Sequence, residues 1–369
     1  MKTKENKIVE EKLTPMEDKT IHRRRKNTKL MFLIVLFLGV LLITSTYAWF
    51  SSSLNVKINF INMKVDTDTG LFISLDGVNW GDEVTVSSDS ILYEIRENYP
   101  NHTNQWALNG LWTVSTRGIP NPNADKFDVY YGAFGKYKEG ELKGQKYLRT
   151  FLIDESRPYS MNKFISFDIF LKNASGSPRP DNIFLTENTV FTFREDVTDE
   201  IRYEMSGIMN SIRLGIVRVG STNINSTPYD LQNVKCDGNC TSYIYEPFSR
   251  DHSEKSITDA KEYGITIEEG EYYPTYAVYK EGEYLNHKSG FLNDGVGVDE
   301  NYFTLQTTFF EDAFEEPLFQ IPNGYLKLRV YIWLEGQDID SLETFSKGAP
   351  INLNMEFIKD LEGYMYYND

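Results

Sequence analysis

The sequence predicts an all-β fold: an antiparallel sandwich with large insertions, preceded by one N-terminal hydrophobic helix. Three observations predict it. Apolar and polar residues alternate along several short runs, and turn-forming sequences separate those runs. The 24 Tyr and 23 Phe of the 369 residues sit in them beside Ile, Val and Thr. Such residues fit a pleated, half-buried surface, and a period of two is that of a strand with one buried face. With 40% hydrophobic and 25% charged residues, the chain can bury one large core or two modest ones.

The N-terminus comes first. Residues 1–29 hold ten Lys/Arg against five Asp/Glu, or +5, so the total of −16 leaves −21 for residues 30–369. The 21 residues of Leu30–Phe50 follow the basic cluster Arg23–Lys29 and precede the serines Ser51–Ser53. As a helix they span about 31 Å, enough to cross a bilayer. Positive charge before the segment and none just after it predicts residues 1–29 in the cytoplasm and 51–369 outside. The most apolar part, Leu30–Ile43, suits a signal peptide as well as an anchor. Thr46 and Ala48 loosely fit a small-x-small site, so signal peptidase could cut between Ala48 and Trp49. Both forms stay open, a membrane anchor through residues 30–50 or a secreted chain. The acidic exterior portion is repelled by phosphates, which argues against nucleic acid as a partner.

Strand signals then run through the rest. Leu54, Val56, Ile58 and Phe60 alternate with Asn55, Lys57 and Asn59. In VDTDTG, Asp66, Asp68 and Gly70 read as a turn before Leu71–Leu75, because the spacing of a calcium loop is not met. Ile165, Phe167, Ile169 and Leu171 form a second alternating run, with Ser166 and Asp168 on the other row. The longest run is Leu326, Leu328, Val330, Ile332 and Leu334, answered by Ile351, Leu353, Met355 and Phe357, with which it is expected to pair. Turns are expected at Asp76-Gly77, Gly176, Asp237-Gly238, Asn293–Gly295 and Pro322–Gly324. The triplet Glu-Gly-Glu at 139–141, 269–271 and 281–283 looks like a hairpin tip. Helix is expected over Asp199–Ser211 and Ser256–Glu262 alone. A single sandwich needs fewer residues than 51–369 provide, so insertions are placed near 90–160 and 222–320.

Chemistry-bearing patterns are few. The four histidines, His22, His102, His252 and His287, form no HExxH pair, and G-x-S-x-G, Walker and G-x-G-x-x-G sequences are absent. No cofactor and no enzymatic activity is expected. Cys236 and Cys240, the two cysteines of the chain, frame Asp-Gly-Asn, which suggests a turn closed by a disulfide in an oxidising exterior. Two free thiols are the alternative; a metal site would need further ligands, and none lie nearby in sequence. Trp106 and Trp112, with Trp80, could form a sugar-stacking platform or pack into the core.

Three stretches resemble the TasA and camelysin group of exported Gram-positive proteins. Thr46–Phe50 is similar to the end of that group's signal sequence, Thr69–Trp80 to its first strands, and Val330–Asp338, with IWLEGQD at 332–338, to a strand and turn near its end. The resemblance implies a jelly-roll-like sandwich, removal of the signal, and self-assembly at the cell surface or in a biofilm matrix. Camelysin-type proteins have been called metalloproteases, but the sequence offers no ligand set for that role. If the chain is cut after Ala48, Leu54, Val56, Ile58 and Phe60 could complete the sheet of a neighbouring subunit and build a fibre. The alternatives are that this strand folds into its own sheet, and that the protein is an adhesin or carbohydrate-binding module.

Overall fold

The structure, a computed structural model, describes residues 56–121, 125–136, 146–153, 163–204, 206–236, 240–248, 316–336 and 350–359, with the single positions His252, Glu254, Ile257, Thr258, Asp338 and Asp340. The hydrophobic segment Leu30–Phe50, the Ala48–Trp49 bond, Leu54 and the Glu-Gly-Glu triplets lie outside them. Among the described residues no helix is long and apolar enough to cross a membrane.

In chain order the strands begin with β1 (Lys57–Val65), β2 (Leu71–Ser74) and β3 (Glu83–Ser87). A short helix α1 (Ser88–Leu92) precedes β4 (Thr113–Asn121), β5 (Lys126–Lys136) and β6 (Lys146–Leu152). Then come β7 (Ile165–Asn173), β8 (Asp181–Leu185), β9 (Val190–Phe193) and the helices α2 (Asp199–Glu204) and α3 (Ser206–Ser211), where the sequence places helix. The last are β10 (Ile212–Asn223), helix α4 (Pro228–Gln232), β11 (Thr241–Tyr245), β12 (Phe319–Ile321), β13 (Gly324–Glu335) and β14 (Pro350–Lys359). The all-β expectation therefore holds for the described chain.

The strands form two sheets. One runs β12-β8-β14-β1-β3, with β9 also on β14. The other runs β11-β10-β13-β4-β5-β6, and β13 also takes β7, which takes β2. One core joins the sheets: Ile58, Ile61, Met63, Ile351, Leu353, Met355 and Phe357 come from the first, and Ile165 to Leu171, Ile212 to Ile216 and Leu326 to Leu334 supply alternate residues from the second. The two alternating runs pair residue for residue, Leu171 opposite Leu326, Ile169 opposite Leu328, Phe167 opposite Val330 and Ile165 opposite Ile332. Each pair lies on one face, so burying one row fixes the register of the other.

Four features differ from expectation. The sandwich is mixed, because β1 pairs β14 in parallel, Met63 opposite Met355. A parallel pair needs a long connection, and here the chain between the strands is most of the protein. Second, β13 and β14 do not pair; they lie in different sheets and face the same core. Third, a register shift between Ile58 and Ile61 moves β1 by one residue. Val56, Ile58, Ile61, Met63 and Val65 are buried, whereas Phe60 leaves the core row. Fourth, β7 and β13 are buried on both faces: Ser166 and Asp168, read from the alternation as a solvated row, are inaccessible. Tyr99 to Gln105 and α4 pack over that outer face and cover them. Farther along, Phe127 of β5 and Phe164 pack on Tyr331 of β13.

Candidate functional site

Antiparallel pairing sets Asp168 of β7 opposite Arg329 of β13, with Lys327 one step along the same outward row. Arg329 Nη1 donates to Asp168 Oδ1 at 3.0 Å, and Lys327 Nζ lies 3.3 Å from Oδ2. Tyr99, on the turn after the 3-10 helix Glu94–Glu97, donates its hydroxyl to the same Oδ2 at 2.7 Å. Lys327 Nζ also donates to Tyr99 Oη at 3.0 Å and to the Gln232 carbonyl at 2.7 Å. Arg329 Nη2 reaches the Thr103 carbonyl at 3.0 Å and Ser166 Oγ at 3.1 Å. Burial pushes the Asp168 carboxyl up, but Lys327, Arg329 and the hydrogen bonds outweigh it and hold the group at about 2. Burial, and then the Asp168 charge, raises the Tyr99 phenol far above its ordinary value.

Above these groups opens a cleft of about 480 Å³. Tyr99, Gln232 and Lys327 form its buried part, and Asn101, Tyr229 and Lys235 its exposed part. Gln232 ties the wall together, its Nε2 donating to the Asp76 carbonyl at 2.7 Å and the Asn98 carbonyl at 2.8 Å. Asp76 anchors the turn the sequence predicts: its carboxylate accepts the backbone N–H of Val78 and Asn79 and the side chains of Ser74 and Asn98. The charged floor is satisfied by protein groups. What the cleft presents outward is phenol, amide and ammonium, a surface that suits a polar solute.

A second ion cluster lies at the end of β13. Arg213 Nη2 sits 2.8 Å from Glu246 Oε1 and also pairs with Asp338. His252 Nδ1 lies 2.8 Å from Asp340 Oδ2, and Trp333 Nε1 donates to Glu335 at 3.1 Å. Burial raises the Asp338 carboxyl to about 6, only partly countered by Arg213, and pushes Glu246 well up in the same way. Glu335 and Asp338 belong to the IWLEGQD stretch, so its acids are placed inside, Asp338 against Arg213 and Glu335 against Trp333.

The residues singled out from sequence are scattered. Trp106 is 4% exposed and belongs to the core, Trp112 carries Lys163 Nζ 3.5 Å over its ring, and Trp80 tilts against Tyr325. The Trp106/Trp112 sugar platform is therefore not formed, because one of its two faces is buried between the sheets. Asp66, Asp68 and Gly70 make the expected turn, with Asp66 Oδ1 accepting from Asp68 N at 3.0 Å and Gly70 at φ 78°. Cys236 and Cys240 form a disulfide with Cα atoms 5.3 Å apart. Beside it stands Asp125, from the β4–β5 turn, whose Oδ1 accepts the Cys236 N–H at 2.6 Å. Sequence reading missed that neighbour, 111 positions away. It also missed Asp168, Lys327 and Arg329, although Phe170 on the Asp168 row and Tyr331 and Trp333 on the Arg329 row signal a covered face. Comparison with protein-family models, curated proteins and solved structures finds no match.

Proposed function

We propose that the chain is an exported structural protein of a bacterial cell surface or matrix, a distant relative in kind of the TasA and camelysin group, delivered or anchored by Leu30–Phe50. The observation that carries this reading is the Cys236–Cys240 disulfide, which closes the two cysteines of the chain within a β-sandwich. A structural disulfide belongs to an oxidising exterior, where the charge step at Arg23–Lys29 also directs the chain. A jelly-roll-like path for the strands is part of the proposal, supported by two sheets sharing one core. So is self-assembly. Donation of Leu54–Phe60 to a neighbour would draw β1 from between β14 and β3 and empty its core positions, so the geometry favours assembly that leaves β1 in place.

Protease added to intact cells tests export: loss of residues 51–369 with retention of 1–29 is expected, and survival of the exterior domain beside a cleaved surface control overturns the reading. Sedimentation and electron microscopy of the purified chain test assembly. The alternative, a carbohydrate-binding module, now rests on the cleft, where Tyr229 is 70% exposed beside amide and ammonium groups. A glycan array on which binding is lost in Tyr229→Ala, with no polymer formed, would favour it.

A further inference from the structure

Asp125 lies between β4 and β5, and Cys236 and Cys240 lie between α4 and β11. Asp125 holds a left-handed backbone, φ 55°, which an Asp tolerates better than most residues. That conformation places its carboxylate beside both sulfurs, and the three donor atoms lie within 4.8 Å of one another, all partly buried. The sulfurs rest with Val234 against the apolar cluster that contains Val219 and Ile244. The site adjoins the cleft, since Asp125, Val234 and Lys235 all line it.

We propose that, when the Cys236–Cys240 bond is reduced, these three residues hold one thiophilic divalent cation of the zinc class, with solvent as the fourth ligand. Two thiolates and a carboxylate are a zinc-type donor set. Bonds of ~2.3 Å to sulfur and ~2.0 Å to oxygen in a tetrahedron set the donors roughly 3.3–3.8 Å apart, so small side-chain rotations suffice to close the site. Soft sulfur disfavours calcium and magnesium. Two thiolates and one carboxylate overcompensate a 2+ ion by one charge, and Lys126 and Lys235, which line the adjoining cleft, bring positive charge to that side.

The chemistry balances with a thiol reductant. Two reductant thiols give up two electrons and two protons and leave as their own disulfide, while the Cys236–Cys240 bond breaks to two thiols. Cation binding then releases the two thiol protons, so affinity rises with pH. The oxidised form has no thiolate to offer. The same three residues would thus be either a closed turn or a metal site, according to redox state.

The test uses the full chain in detergent, reduced with a trialkylphosphine (itself oxidised to the phosphine oxide with an oxygen from water), freed of reductant without air and titrated with Co²⁺. The expected result is one cobalt per chain with a thiolate-to-cobalt charge-transfer band, displaced by Zn²⁺ and absent from the oxidised chain. Cys240→Ser should remove the band. Asp125→Asn keeps an acceptor for the Cys236 N–H and tolerates the left-handed backbone, so its oxidised form should melt like the parent. Its reduced form should bind zinc at least about tenfold more weakly, since losing a ligand costs no less than losing a supporting neighbour. A reduced parent with no charge-transfer band overturns the proposal, and so does zinc affinity in Asp125→Asn equal to that of the parent.

Discussion

Asp168 faces two buried cations, Lys327 and Arg329. Asp168→Asn keeps the shape but takes the carboxylate charge away from beside both buried cations, a loss of about 3–5 kcal/mol against a total stability of ~5–15 kcal/mol. The denaturant midpoint should fall accordingly, and an unchanged midpoint would mean the cluster is solvated. The pH dependence follows from opposite shifts in two clusters. Asp168, held at about 2 against an ordinary 3.8, contributes stability that is complete above about pH 4 and is lost as pH falls toward 2. That contribution is roughly 2 kcal/mol. Asp338 at about 6 and Glu246, also raised, bind more protons folded than unfolded between about pH 4 and 6. Their contribution is complete below the unfolded carboxyl range and is lost as pH rises through the folded value. Thermal melting should therefore climb from pH 2 to 4 and decline from 4 to 7. Glu246→Gln, which removes one of the two raised carboxyls paired with Arg213, should shrink the decline while leaving the acid limb unchanged.

Strand β10 shows how an element is fixed by what crosses its outer face. Its inner row, Ile212, Leu214 and Ile216, fills the core, but its outer row includes Gly215, where an added Cβ would stand 2.8 Å from both Phe127 and Trp333. Those rings belong to β5 and β13, so the β4–β5 arm can lie flat on the sheet only over a glycine. Gly215→Ala should cost about 1–3 kcal/mol by overpacking, read as a lower melting temperature with unchanged secondary structure. The contrast between the two rows marks what was legible. That β7 and β13 each turn one row to a common core could be anticipated, because every residue of Ile165 to Leu171 and Leu326 to Leu334 on the inner row is apolar; that they pair with each other could not, and the sequence pairs β13 with β14 instead. The cleft could not, because Asp168, Lys327 and Arg329 look the same in sequence whether they meet water or one another. What decides is the cover supplied by Tyr99 and Gln232, and such contacts leave no period in the sequence. Likewise Asp125 has no local feature that ties it to Cys236.

At the scale of the molecule, the first and last described strands lie side by side, with β1 between β14 and β3 in the first sheet. If β1 belonged to a neighbouring subunit in the assembled protein, each chain would bury another chain's Val56 and Ile58. The register offers a direct test, because Asn62 of β1 lies opposite Asn354 of β14, with Asn354 exposed and Asn62 half-buried. Replacing both in one chain, Asn62→Cys with Asn354→Cys, and oxidising places a covalent bond across the pair. The distance suits one, since adjacent strands run about 4.8 Å apart. With β1 in its own sheet, the bond forms within a chain: a non-reducing gel shows one band at monomer mass even when the protein is polymerised first. The melting temperature should also rise, because the loop closed between positions 62 and 354 is long, for which the chain-entropy relation gives an upper figure of roughly 5–6 kcal/mol. Strand exchange would instead lock each chain to the next and give a ladder of covalent multimers. A ladder from the polymer together with a single band from the monomer would show that β1 leaves its sheet on assembly, and the assignment of β1 to its own chain would then hold for the free protein alone.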